Sequence, residues 1–211
     1  MDEKILKGKK IAVLLETEYI AQEIEYYRQH FTALGAQVDL MSYLWGEKSK
    51  RFICDIDSPD RPIKDIHTIE VDIDVTNVKV DDYHAVLMAA NYCSVRLREI
   101  PPMHSLGSCE LTRTAPAVQF FGQAMKNKKI VKGALCHALW ILTPLPELLK
   151  GRKVICHTVV LADICNAGAL FTPSPEEVVV DDDLITARSA KNLIPYCDAI
   201  VKRIMEKNQQ S

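Results

Sequence analysis

The sequence predicts a doubly wound α/β domain, a mostly parallel sheet with helices on both faces. Three observations point there. Short apolar runs of strand type recur along the 211 residues. The segments between several of them carry apolar residues three and four positions apart, the spacing of one helix face. One run, YHAVLMAA (83–90), is apolar almost throughout, as a strand buried on both sides by crossover helices must be. The chain contains no internal repeat, low-complexity tract or clear linker, and at about 150 residues per domain its length suits one domain spanning 1–211.

The first strand is KIAVLL, from Lys10. A helix follows with Ile20, Ile24, Tyr27, Phe31 and Leu34 on one stripe, and Gly35 ends it. AQVDLMS (36–42) reads as the second strand. Residues 45–66 are charged and punctuated by Pro and Gly, which predicts a loop with room for an excursion, and HTIEVDIDV (67–75) alternates as a half-exposed strand does. After the central 83–90 strand, residues 99–115 form a long connection to a helix that starts at Pro116 and turns Val118, Phe121 and Met125 inward. KIVKGALC (129–136) is the next strand, followed at once by the helical stretch HALWIL, which Pro144 and Pro146 keep short. KVICHTVVLAD (153–163) comes next, with Cys156 and His157 placed in a neighbouring strand. EEVVVDDDLITAR (176–188) reads as two strands joined by an acidic turn, and Asn192–Lys207 as an amphipathic helix.

Composition excludes several classes. With 26 Lys+Arg against 28 Asp+Glu there is no broad basic footprint, and the basic stretch Lys48–Arg51 is too short to imply nucleic-acid binding. No window reaches the ~18 apolar residues of a membrane span, and the opening MDEKILKGKK lacks the apolar core of a signal peptide, so a cytoplasmic location without membrane partners is expected. Seven widely spaced cysteines without a CxxC pair read as free thiols, not as a disulfide framework or a zinc cage, and no metal site is expected.

One thiol stands apart. In GALCHALWIL a buried strand ends on Cys136 and a helix begins within a residue or two. Such an elbow projects a nucleophile from the carboxyl edge of a sheet, where α/β proteins bind ligands. A helix N-terminus there would lower the thiol pKa, and the His137 N–H would be aimed to serve an oxyanion. The plainer alternative is a buried structural cysteine. Glu23 is the second anomaly: it lies on the apolar stripe of the first helix, three residues after Ile20 and four before Tyr27, where an ionised carboxylate needs a partner. It either reaches past the stripe edge to water or works beside a reactive sulfur, bonding the thiol or trading a proton with substrate.

Taken together, KIAVLLETEYIAQEIEYYRQHFTALGAQV, GALCHALWIL, GRKVICHTVVLADICNAG and VVVDDDLITARSAKNLIPYCDAIVKRI, in that order over more than half the chain, resemble the ThiJ/PfpI superfamily, of class I glutamine amidotransferase-like fold. The resemblance implies a flavodoxin-like sheet, usually in a homodimer. It implies a cysteine in the elbow, carried here by Cys136 and followed by His137, with a glutamate from the first helix near the sulfur, carried by Glu23. His157 matches a pocket position where members carry His or Tyr. The chain also departs from the pattern. Ala90 and Asn91 stand where the family's Pro-Gly-Gly loop offers an oxyanion N–H, so Asn91 is the expected donor beside His137. Val95 stands where protease-like members place an acid, which argues against a Cys-His-acid triad and peptidase activity, and Ala138 replaces the glycine after Cys-His. Residues 48–66 and 99–115 are longer than in compact members and would frame a lid or a dimer contact.

The implied function is a cofactor-independent enzyme in which Cys136 attacks a small-molecule electrophile. For an α-oxoaldehyde the chemistry is glyoxalase- or deglycase-like, and for a small amide it is amidase-like. The alternative is a non-hydrolytic stress-response or redox-sensor protein using oxidisable Cys136. A third reading is a binding module with a vestigial site.

Overall fold

The computed structural model describes residues 4–55, 66–104 and 107–209. In chain order its elements are β1 (Lys10–Leu14), α1 (Ala21–Ala33), β2 (Gln37–Met41), β3 (Lys50–Ile53), β4 (Thr68–Val71), β5 (Ala85–Met88), α2 (Cys93–Arg96), α3 (Cys109–Thr112), α4 (Pro116–Lys126), β6 (Val131–Leu135), β7 (Lys153–Val154), α5 (Thr158–Asn166), β8 (Leu170–Phe171), β9 (Val178–Asp181), β10 (Leu184–Ala187) and α6 (Leu193–Gln209).

The central sheet has the order β2-β1-β5-β6-β10-β9, parallel except for the β9–β10 hairpin at its edge. From β1 the chain crosses to β2 on one side, and from β5 it crosses to β6 on the other. Right-handed crossovers therefore put α1 and α4 on opposite faces, and the strand order reverses between β1 and β5. This is the α/β flavodoxin-like arrangement expected from the sequence. Leu14, Met88 and Ala134 lie side by side in register, so the loops after β1 and β5 and the turn after β6 emerge together at one carboxyl edge.

Burial follows the apolar pattern. Ile11–Leu15 and Ala85–Ala90 are buried throughout, and α1 buries Ile24, Tyr27 and Phe31. Tyr27 meets Tyr196 of α6 over one face of the sheet. Gly35 closes α1 at a φ of 95°, and a Cβ there would meet the Lys4 Cβ at 2.6 Å, so glycine is required on two counts. At the amino end of β6, Lys132 is fully buried. It donates to the Ile130 and Asn127 carbonyls at 2.9 and 3.1 Å and pairs with Asp183, which also takes Arg152 at 2.7 Å.

Three local expectations change. The stretch 48–66 is not all loop: Lys50–Ile53 forms β3, antiparallel to β4 in a small separate sheet, while 56–65 lies outside the described residues. The connection 99–115 contains the short helix α3, and 105–106 lies outside the described residues. Of KVICHTVVLAD, only Lys153–Val154 is strand, and Thr158 already begins α5, so Cys156 and His157 sit in the turn between them.

Candidate functional site

Cys136 sits immediately past β6 at a φ of 60°, the left-handed turn that an elbow demands of a non-glycine residue. Its N–H donates to the Ala187 carbonyl at 2.9 Å and its carbonyl accepts from the His157 N–H at 3.2 Å, which pins the turn from both sides. The side chain is 9% exposed. The backbone N–H groups of His137 and Asn91 lie near its sulfur and favour the thiolate.

The expected helix is not an α-helix. Residues 138–142 form one short 3₁₀ segment, because Pro144 and Pro146 leave no room for further i→i−4 bonds. The thiol pKa expected to fall instead rises. Burial, then the charge of nearby Glu23, push it up to about 12 against the two N–H groups.

Glu23 is completely buried on α1. Both carboxylate oxygens accept from the Ala90 N–H, at 3.1 and 3.0 Å, so the carboxylate grips the loop after β5 and reaches the sulfur through charge, not through a hydrogen bond. Burial pushes its own pKa up to about 8, opposed by the Tyr27 hydroxyl and the Ala90 N–H. At neutral pH Glu23 is mostly protonated, which removes one of the two causes that raise Cys136.

Asn91 also has a left-handed backbone, at a φ of 61°, which asparagine tolerates better than most residues. Its side chain donates to the Glu18 carbonyl at 2.9 Å and to Asp55 at 3.0 Å, so the side chain anchors the loop and the backbone N–H is left for the sulfur.

His137 is 8% exposed, and neither ring nitrogen has a hydrogen-bond partner. Burial and neighbouring His157 lower its pKa to about 4, so the ring is neutral. It packs edge-on to His157 at 4.9 Å between centroids and lies beside Tyr92 and Trp140, at 5.6 and 5.3 Å. His157 is not a strand-end residue but the N-cap of α5, its Nδ1 accepting from the Val159 N–H at 3.2 Å. No acid orients either ring among the described residues.

Beside these residues opens a cleft of about 630 Å³ lined by Tyr92, Arg98, Trp140, Thr143 and Asp163, among others. The sequence reading missed all five, although Trp140, one of only two tryptophans and three residues past His137, was available as a signal. Val95, read as the lost triad acid, lines the same cleft. Among the described residues no group of three His, Cys, Asp or Glu could hold a metal ion, and no helix is long and apolar enough to cross a membrane.

Known proteins resemble this chain in sequence and fold. The uncharacterized protein SAR1965 of Staphylococcus aureus is 30% identical over 136 residues, 64% of this chain and 70% of that one. A two-domain protein of Anabaena variabilis, containing DJ-1/ThiJ/PfpI-like and ferritin-like domains, superposes with a TM-score of 0.74 at 22% identity over 93% of this chain. This chain spans about half of that protein, 48% of its length. Drosophila melanogaster DJ-1beta superposes with a TM-score of 0.69 at 16% identity, over 96% of this chain and 94% of its own. The model of the DJ-1/PfpI family matches residues 106–203, from the connection before α4 through the elbow to α6, and the chain belongs to that family.

Proposed function

We propose that the protein is a cysteine-dependent, cofactor-independent enzyme acting on a small electrophile, most directly an α-oxoaldehyde in a glyoxalase- or deglycase-like reaction. The observation that carries this reading is the convergence at Cys136: a sulfur on a left-handed elbow, two backbone N–H groups aimed at it, and a buried carboxyl coupled to it by charge.

Cys136 and Glu23 titrate as a pair, and once one proton has left, the reactive tautomer carries the charge on sulfur and the proton on Glu23. The thiolate attacks the aldehyde carbon and forms a C–S bond. The carbonyl oxygen gains the electron pair, rests against the Asn91 and His137 N–H groups, and takes the Glu23 proton to give a hemithioacetal. Glu23, now a carboxylate, removes the hydrogen from that carbon and returns it to the adjacent carbonyl carbon, while the hydroxyl proton on the first oxygen passes to the second. The first carbon is thereby oxidised and the second reduced, leaving a thioester of a 2-hydroxy acid. Water hydrolyses the thioester and restores the thiol. A small amide would give a thioester with loss of ammonia. The unpartnered ring nitrogens of His137 weigh against a Cys-His-acid triad and peptide hydrolysis.

Steady-state turnover of methylglyoxal and of simple amides by wild type, Cys136→Ala and Glu23→Gln tests this reading. Wild type is expected to turn over methylglyoxal, with kcat/KM rising through about pH 8 as the pair loses its proton, and Cys136→Ala to lose roughly a thousandfold. Turnover that survives Cys136→Ala sinks the nucleophile.

A second reading rests on the same donors. The N–H groups at sulfur and a neutral Glu23 would also hold the oxygens of an oxidised thiol, making Cys136 a peroxide sensor. A mass gain of one or two oxygens at Cys136 under mild peroxide, with no turnover of either substrate class, selects it. A homodimer in the cytoplasm completes the proposal, tested by sedimentation and by cell fractionation.

A further inference from the structure

The cleft beside His137 contains a cation with no hydrogen-bonded carboxylate among the described residues. Arg98, half-buried in its wall, donates to the neutral Thr143 hydroxyl at 2.7 Å, and no carboxylate of the described residues pairs with it. Asp163, which lines the same cleft, attracts it by charge but gives an oxygen to the Trp140 indole N–H at 2.7 Å. A half-buried guanidinium with no carboxylate bonded to it leaves its fork open, and that planar fork matches a carboxylate with two parallel N–H bonds.

The rest of the cleft describes the other end of the ligand. Tyr92 and Trp140 lie 6.2 Å apart at 30°, two exposed or half-exposed rings that form an aromatic wall. The wall adjoins the residues around Cys136. Tyr92 directly follows Asn91, and Trp140 touches His137, so each ring adjoins one of the two residues whose N–H faces the sulfur.

We infer that this cleft is the substrate subsite and that it takes a planar carbonyl compound bearing a carboxylate, the carboxylate on Arg98 and the planar body against Tyr92 and Trp140. The assignment rests on the enzymatic reading for the word substrate, but the binding it describes does not. A singly charged carboxylate suits the site better than a phosphate, because Asp163 lines the same cleft and repels added negative charge.

The test is calorimetric binding to the full-length chain carrying Cys136→Ala, which removes covalent capture. The probes are benzoylformate, its neutral methyl ester and phenyl phosphate. Benzoylformate is expected to bind at least tenfold more tightly than the ester. Adding Arg98→Gln should weaken the acid at least tenfold and leave the ester within twofold. Arg98→Lys, which keeps the charge and loses the fork, should fall between, and it carries the test if Arg98→Gln does not fold. Equal affinity for acid and ester, indifference of the acid to Arg98→Gln, absence of millimolar binding, or tighter binding of phenyl phosphate overturns the assignment. The two readings fail separately: binding with no turnover of any aldehyde or amide leaves the carboxylate cleft standing, whereas methylglyoxal turnover without benzoylformate binding removes the cleft alone.

Discussion

Replacing Glu23 with Gln should stabilise the protein, increasingly so as pH rises. The carboxyl is fully buried and its pKa rises from 4.5 to about 8 on folding. For an acid whose folded pKa is raised, the protonated form is the one folding favours. Below 4.5 both states hold the proton and nothing is lost. Between 4.5 and about 8 the unfolded chain is ionised while the folded one holds its proton, so stability falls by about 1.4 kcal/mol per pH unit. Above about 8 the loss levels off, at something on the order of 5 kcal/mol. Gln has the same shape and cannot ionise, and its amide oxygen can still accept from Ala90. Urea unfolding of both proteins at pH 5, 6, 7 and 8 isolates this effect, since most other titrations cancel in the difference. Glu23→Gln should sit near wild type at pH 5 and several kcal/mol above it at pH 8, while losing methylglyoxal turnover. A difference that stays flat with pH, or one that turns against Gln as pH rises, refutes the buried neutral carboxyl.

The other predictions concern the frame around the sulfur. Lys132→Ala leaves Asp183 buried with Arg152 alone and should cost about 3 kcal/mol or more in urea unfolding; turnover per folded molecule should not change, because Lys132 lies at the opposite end of β6 from Cys136. Gly133→Ala would press a Cβ into the Tyr196 hydroxyl and set it 2.6 Å from a Leu87 methyl, and overpacking there should cost about 1–3 kcal/mol and lower the melting temperature. Asn91→Ala loses two side-chain hydrogen bonds and strains a left-handed backbone, whereas Asn91→Gly loses the bonds and relieves the strain. If the backbone N–H is the working group, Asn91→Gly keeps more kcat than Asn91→Ala; equal kcat in the two variants contradicts it.

Much of this was readable from residue pattern because the pattern answers to burial. The 83–90 run had to be central, and Glu23 stood out because a carboxylate on an apolar stripe must be explained. Cys136 stood out because a strand meeting the start of a helical stretch leaves only a sharp turn between them. What escaped depends on contacts across the chain. β3 is four residues, KRFI, with a single buried side chain, too short for any period to emerge, and it pairs only with β4 outside the main sheet. His157 reads as part of a strand until Val159 is seen bonding its ring. The rise in the Cys136 pKa follows from depth and from a charge on another element, and neither is a property of the GALCHALWIL motif. Arg98 and Asp163 are ordinary surface residues in sequence and acquire meaning only across the cleft that joins them.

The departures in the donor loop carry a consequence for how the site works. With Ala90 and Asn91 where the resemblance leads one to expect glycines, the loop could have lost its donors. Instead the two N–H groups divide: Ala90 donates to Glu23, and Asn91, turned left-handed and tethered by its side chain to Glu18 and Asp55, keeps its own near Cys136. Glu23 therefore acts on the sulfur by two routes, through its charge and through the residue next to the donor. A proton arriving at Glu23 removes the repulsion that raises the thiol pKa and, in the same event, weakens the charge-assisted bond that holds Ala90. Reactivity of the thiol and the grip on the donor loop are thus set by one protonation, on a carboxyl that α1 holds between the two.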